Sequence, residues 1–208
     1  MWSQMREVAK LHNQRWIESM LLLAIVTGQR RADLAKMRFD DVVDGHLQIE
    51  QQKQAGKGYG ARVSIPLTLR LNAINMTVGE VIEHCSHSAR PGPTLLRKSG
   101  GGAIEQSSLS ARFHEVIVLV LGKAAHAPFE WPSLHEVRSL SARLYNEQGE
   151  DVQTLLGHKN AEMTAVYIDD RGLTSGTWKK VVPKEAATLP VGDAIGTTLP
   201  SAAQPLLN

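Results

Sequence analysis

The 208-residue chain predicts an α+β fold that is mostly α-helical and carries a small antiparallel sheet. Three observations predict it. Apolar residues recur at the helical period over 1–26, 107–121 and 134–147. Two short segments, 46–50 and 61–65, read instead as strands, and they flank a loop holding three glycines. From residue 183 onward the chain is rich in Ala, Thr, Pro and Gly with little charge, so 183–208 is expected to be a disordered tail.

Taken in order, 1–26 reads as one long helix, with Trp2, Met5, Val8, Trp16, Ile17, Met20 and Leu21 near the helical period. Its second half is apolar nearly all round and should be buried. Thr27 and Gly28 end it, and a short helix is expected over 32–37. The strands 46–50 and 61–65 form a hairpin, closed by Pro66. A weakly patterned helix is expected over 68–84, then a Gly-, Pro- and Ser-rich loop over 86–102. Over 107–121, Leu109, Phe113, Val116, Ile117 and Val120 share one helix face. Ser133 with Glu136 is a capping-box pair that starts a helix running to about 147. Asp151 caps a short helix that Gly157 ends, and Asn160 caps another that carries Tyr167. Residues 178–182 read as a short terminal strand, and no internal repeat is found.

Bulk properties exclude several classes. Hydrophobic residues at 42% and charged residues at 21% are ordinary for a globular protein. The net charge of +2 permits nucleic-acid binding without arguing for it. Cys85 is the single cysteine, which rules out an internal disulfide and points to a reducing compartment, the cytoplasm. The longest apolar run, 20–26, is too short to span a bilayer, so no membrane partner is expected.

The chemistry concentrates between His135 and Tyr167. His135 and Arg138 lie three apart on one predicted helix and share a face. His158 follows the glycine that ends the next helix, and Tyr167 comes nine residues later. Arg30 stands upstream in T-G-Q-R. An arginine fork suits phosphate oxygens, and a tyrosine hydroxyl is a competent nucleophile, so the set suggests phosphoryl transfer on a nucleic-acid backbone. Taken singly, each residue has an ordinary structural explanation. A zinc site at His135 and His158 lacks a third ligand at helical spacing, so no metal is implied. Tyr145 reads as a packing residue, and Tyr59 sits in the glycine-rich loop with no general base nearby in sequence.

The blocks T-G-Q-R-R-A-D-L, F-x-x-V-x-x-G-x-L-x-I-E-Q-x-K, L-H-E-V-R-S-L-S-A-R-L-Y, L-L-G-H-K and Y-I-D-D-R-G occur in that order between 26 and 172. Together they resemble the catalytic domain of tyrosine recombinases, the phage integrase family, and within it the lambda-type integrases. The resemblance implies the tyrosine recombinase catalytic-domain fold over 1–182. It implies site-specific DNA cleavage and rejoining in phage integration and excision, through a 3′-phosphotyrosyl intermediate with Tyr167 as nucleophile. Arg30 and Arg138 would hold the scissile phosphate, His135 would help bind it and accept the tyrosine proton, and His158 would donate a hydrogen bond to it. Asp33 matches the family's acidic position and would orient an active-site cation. A general-acid lysine is implied on the hairpin: Lys53 matches the approach to it, while Lys57, counted back from Pro66, is its rival. No metal and no cofactor are implied. The implied partners are double-stranded DNA and further integrase subunits on it, a tetramer in the full-length family.

The family's N-terminal core-binding domain is expected to be absent, which predicts weak, salt-dependent DNA binding. In the family the segment after the tyrosine often packs on a neighbouring subunit, and 178–182 is the candidate for it. Two other readings stand beside this one: a catalytically unproductive DNA-binding remnant, and a relaxing enzyme of the type IB topoisomerase kind.

Overall fold

The computed structural model describes residues 2–11, 15–52, 60–122 and 132–168. The expected single helix over 1–26 is instead two helices, α1 (Trp2–Leu11) and α2 (Trp16–Thr27). They pack against each other, with Met5 and Ala9 of α1 buried and Arg6 paired to Glu18 of α2 at 3.0 Å. Between them Arg15 is a turn residue, and residues 12–14 lie outside the described residues. The helical period on either side runs through that break, so the periodicity alone does not reveal it.

All twelve residues of α2 are buried. It is the central helix, and α1, α4 (Val78–His87), α5 (Gln106–Leu121) and α6 (Leu134–Glu147) pack around it. Gly28 ends it in the left-handed region, at φ 62°. A Cβ there would lie 2.9 Å from Ser141 Oγ, so α6 can approach only because the residue is glycine.

The following helix, α3 (Arg31–Leu34), is shorter than the expected 32–37. Three antiparallel strands come next, β1 (Val42–Val43), β2 (His46–Glu50) and β3 (Arg62–Pro66), in the order β1-β2-β3. The expected hairpin is β2–β3, with Leu47 opposite Ile65 and Ile49 opposite Val63, all four side chains on the buried face. The third strand, β1, went unseen in the sequence because two residues carry no period.

The helix expected over 68–84 is corrected. Residues 70–77 form a small hairpin, β4 (Arg70–Leu71) and β5 (Met76–Thr77), and α4 starts only at Val78. Thr77 and Glu80 make a reciprocal capping box that sets this start. The loop after α4 is held by Arg97, which is 1% exposed. Its guanidinium donates to the carbonyls of Cys85, Ser86, Arg90 and Thr94 and lies 4.8 Å from the Phe39 ring centre. Cys85 is buried below it, and burial pushes the thiol up to about 12, so it stays neutral and unreactive.

The remaining helices match their signals. α6 begins at the Ser133–Glu136 capping box, and α7 (Val152–Leu156) at Asp151, which accepts from Thr154 N at 3.0 Å. Gly157 ends α7 at φ 64°, and α8 (Ala161–Ile168) starts directly after Asn160. Among the described residues no helix is long and apolar enough to cross a membrane. Lys53, Lys57, Tyr59, the expected strand 178–182 and the tail 183–208 lie outside the described residues.

Tyr145 is fully buried, and its hydroxyl donates to Val26 O at 2.8 Å, a carbonyl in the last turn of α2. Tyr145→Phe is expected to lower the unfolding free energy by about 1–2 kcal/mol, because that carbonyl loses its donor in a dry core. Urea denaturation measures the loss.

Candidate active site

The site is built on two buried helix ends. The last carbonyls of any helix lack partners within it. At the end of α2, Val26 O takes the Tyr145 hydroxyl, Thr27 O takes Gln29 Nε2 at 3.0 Å, and Gly28 O takes Arg138 Nη1 at 2.7 Å. At the end of α7, Leu155 O takes Gln29 Nε2 at 2.8 Å, and Leu156 O takes Arg138 Nη2 at 2.9 Å. Arg138 is thus clamped between the negative ends of two helix dipoles. It is 1% exposed, and burial, with the nearby Arg30 charge, pushes it down to about 10. It remains a cation at neutral pH.

Arg138 Nη2 also contacts His158 Nε2 at 3.1 Å. Arginine has only hydrogens to give, so His158 Nε2 is the acceptor and the ring proton sits on Nδ1. That proton points to Thr164 Oγ1, 3.0 Å away on α8. Burial, followed by the charges of Arg138 and Arg30, holds His158 down at about 4. The donor role that the resemblance implied for His158 therefore needs a proton to move onto Nε2.

Tyr167 lies one helical turn beyond Thr164 on α8. Its ring centre is 5.0 Å from that of His158, 5.3 Å from that of His135, and 5.3 Å from the guanidinium carbon of Arg138. Its hydroxyl lies within electrostatic reach of Arg138. Asp33 is buried, its Oδ1 accepting from Gln52 N at 2.8 Å, and its Oδ2 has no hydrogen-bond partner among the described residues. Burial raises Asp33 above its ordinary value, against the pull of the Gln52 N–H, Arg30 and Arg138. Arg30 is half-buried and donates from Nη1 to Gln51 Oε1 at 2.9 Å. It lines a cleft of about 180 Å³ together with Gln51, Gln52, Gly157, Lys159 and Met163.

Arg30, Asp33, His135, Arg138, His158 and Tyr167 are therefore brought to one place from α2–α3, α6, the end of α7 and α8. Three side chains escaped the sequence reading: Gln29, Gln51 and Thr164. Both glutamines stand inside the sequence blocks of the family, but Gln29 lies between Gly28 and Arg30 and Gln51 between Glu50 and Gln52, so no apolar neighbour marks either as buried.

Residues 3–172 match the model of the phage integrase family. The chain is 36% identical to the prophage integrase IntE of Escherichia coli (strain K12) over 189 residues, covering 86% of this chain and 47% of that protein. It is also 36% identical to the integrase of Escherichia phage lambda over 170 residues, covering 80% of this chain and 44% of that one. The chain thus spans under half the length of these curated relatives. A lambda integrase (75–356) dimer bound to a COC′ core site superposes with a TM-score of 0.70 at 34% identity, over 88% of this chain and 61% of that one. XerA recombinase matches at a TM-score of 0.54 and 17% identity, covering 83% of this chain and 58% of that one, a likeness of fold alone.

The His158 arrangement predicts a titration. An unfolded chain protonates this ring near its ordinary value of 6.5, whereas the folded chain refuses the proton until about 4. Between those values the unfolded state binds more protons, so stability falls as pH drops from about 6.5 to about 4. Histidine-resolved ¹⁵N spectra at pH 6 should show His158 neutral with the proton on Nδ1. The denaturation midpoint should fall over that window relative to His158→Gln. An Nε2–H tautomer would contradict the arrangement.

Proposed function

The chain belongs to the phage integrase family, and on that premise we propose that it cleaves and rejoins DNA through Tyr167 in site-specific recombination. The observation that carries the reading is Tyr167 stacked within 5.3 Å of Arg138, beside His135 and His158. The phenol oxygen attacks the scissile phosphorus, the P–O5′ bond breaks, and a 3′-phosphotyrosyl bond forms. The phenol proton passes to a base, for which His135 is the exposed imidazole next to the ring. A general acid protonates the departing O5′, and Lys53 or Lys57 fills that role. The covalent bond stores the energy for rejoining, so no nucleotide or metal is called on.

Arg30 and Arg138 take the non-bridging oxygens, where negative charge accumulates in the transition state. Arg138 uses three N–H groups on Gly28 O, Leu156 O and His158, which leaves Nε–H and a second Nη1 hydrogen for the phosphate. The Tyr167 ring covers this guanidinium in the DNA-free chain, so α8 shifts as the phosphate enters. Asp33, buried against both arginines, keeps their charges tolerable at close quarters. We assign this activity to residues 1–182 and place it in the cytoplasm, on double-stranded DNA and with further subunits of the same kind.

A nicked suicide duplex tests the proposal, because loss of the short product strand traps the covalent adduct. With the COC′ core site and with a library of randomised flanks, the chain is expected to form a protein–DNA adduct that resists denaturation. Tyr167→Phe is expected to abolish it. Absence of any adduct, or an adduct that survives Tyr167→Phe, would sink the proposal.

A further inference from the structure

One buried cluster beside the arginines has no part in the chemistry described so far. Gln29 is 1% exposed and Gln51 4% exposed, and both amides are fully engaged. Gln51 Oε1 accepts from Arg30 Nη1 at 2.9 Å. Gln51 Nε2 donates to Gln29 Oε1 at 2.6 Å and to Leu156 O at 3.0 Å. Gln29 Nε2 donates to Leu155 O and Thr27 O. All four amide hydrogens are therefore spent on oxygens. Both amides have fixed orientations, because arginine cannot accept and carbonyls cannot donate.

Leu156 O is the meeting point. It accepts from Gln51 Nε2 at 3.0 Å and from Arg138 Nη2 at 2.9 Å. The path Arg30–Gln51–Leu156 O–Arg138 therefore links the two guanidiniums through the Gln51 amide and one carbonyl. Like charges repel, and after burial the Arg30 charge is what pushes Arg138 down. Without a fixed acceptor the half-exposed Arg30 gains by turning to water. Only an amide supplies an acceptor towards Arg30 and donors towards the carbonyls at once. A carboxylate has no hydrogen to give, and an ammonium has no acceptor. Gly157 makes the space: a Cβ there would lie 2.7 Å from Gln51 Oε1.

We propose that Gln51 is a positioning residue that sets the spacing between Arg30 and Arg138 through the Leu156 carbonyl, with Gln29 holding its amide in place. The proposal rests on the reading of these arginines as the phosphate clamp. It predicts a defect tied to the charge of the phosphate. Gln51→Met keeps the length and removes every hydrogen bond, while Gln29→Met acts one residue further from Arg30.

Adduct formation is measured in single turnover on two nicked duplexes, one with the ordinary phosphodiester and one with a neutral methylphosphonate at the scissile position. On the phosphodiester, Gln51→Met and Arg30→Ala are expected to slow cleavage by about 10- to 100-fold, and Gln29→Met by less. DNA affinity should stay within about threefold, since the rest of the phosphate contacts are untouched. On the methylphosphonate the deficits should shrink to about threefold or less, because the charge the clamp neutralises is gone. Equal losses on both substrates, or no loss on either, would overturn the proposal.

A second measurement stands apart from activity. The Arg30 Nε–H signal in a ¹H–¹⁵N spectrum of the DNA-free chain should be resolved and should broaden or move to the free-arginine position in Gln51→Met. An unchanged signal would overturn the positioning role. If the unmodified chain forms no adduct on either duplex, the recombinase reading fails, while this spectrum still decides whether Gln51 holds Arg30.

Discussion

The end of α2 is buried, and a buried helix end must find donors for its last carbonyls. Everything in the site follows from how that requirement is met. Val26, Thr27 and Gly28 each receive one donor, from Tyr145, Gln29 and Arg138. The end of α7 faces the same point and recruits Gln29, Gln51 and Arg138 again. A guanidinium suits this place because it can bond several carbonyls in one plane while its charge offsets two negative helix ends. The arginine proposed to bind the phosphate is therefore part of the core's own hydrogen bonding in the DNA-free chain.

That arrangement has an electrostatic consequence. Burial, and after it the charges of Arg138 and Arg30, disfavour a third positive charge, so His158 stays neutral and becomes an acceptor. Its remaining proton is spent on Thr164, which belongs to the helix that carries Tyr167. The helix that carries Tyr167, the proposed nucleophile, is thus docked through the imidazole that rests on the buried arginine. Asp33 is buried beside the two arginines, with one carboxylate oxygen held by the backbone N–H of Gln52 just past the end of β2. Positioning and charge balance are done by the same few side chains, so a change at one is felt at the others.

Much of this was legible in the sequence where a local rule had one answer. Gly28 and Gly157 end helices in the left-handed region, and Ser133 with Glu136 starts α6, each from a signature of a few residues. The charged and aromatic residues that the structure brings together stood out in the sequence because the family resemblance singles out those residue types. Most of what escaped had no local mark. The break between α1 and α2 falls where the helical period continues across it, and the β4–β5 hairpin has strands too short for alternation. Thr77 with Glu80 was a readable helix start that the weak pattern before it obscured. Gln29 and Gln51 meet across 22 positions, and Arg97 finds its carbonyls only once the loop is folded around it. Such roles are properties of the folded neighbourhood.

The central claim is that the carbonyls of two helix ends preset Arg138, and through Gln51 also Arg30, for a phosphate attacked by Tyr167. A crystal structure of the chain with a cleaved core-site duplex and vanadate tests it most directly. Vanadate adopts the five-coordinate geometry of the transferring phosphorus. The account predicts the Tyr167 oxygen at one apex and the DNA 5′ oxygen at the other, with both arginines on the equatorial oxygens. Arg138 should still be bonded to Gly28 O and Leu156 O. An Arg138 that has left those carbonyls to reach the vanadate, or an apex not occupied by Tyr167, would contradict it.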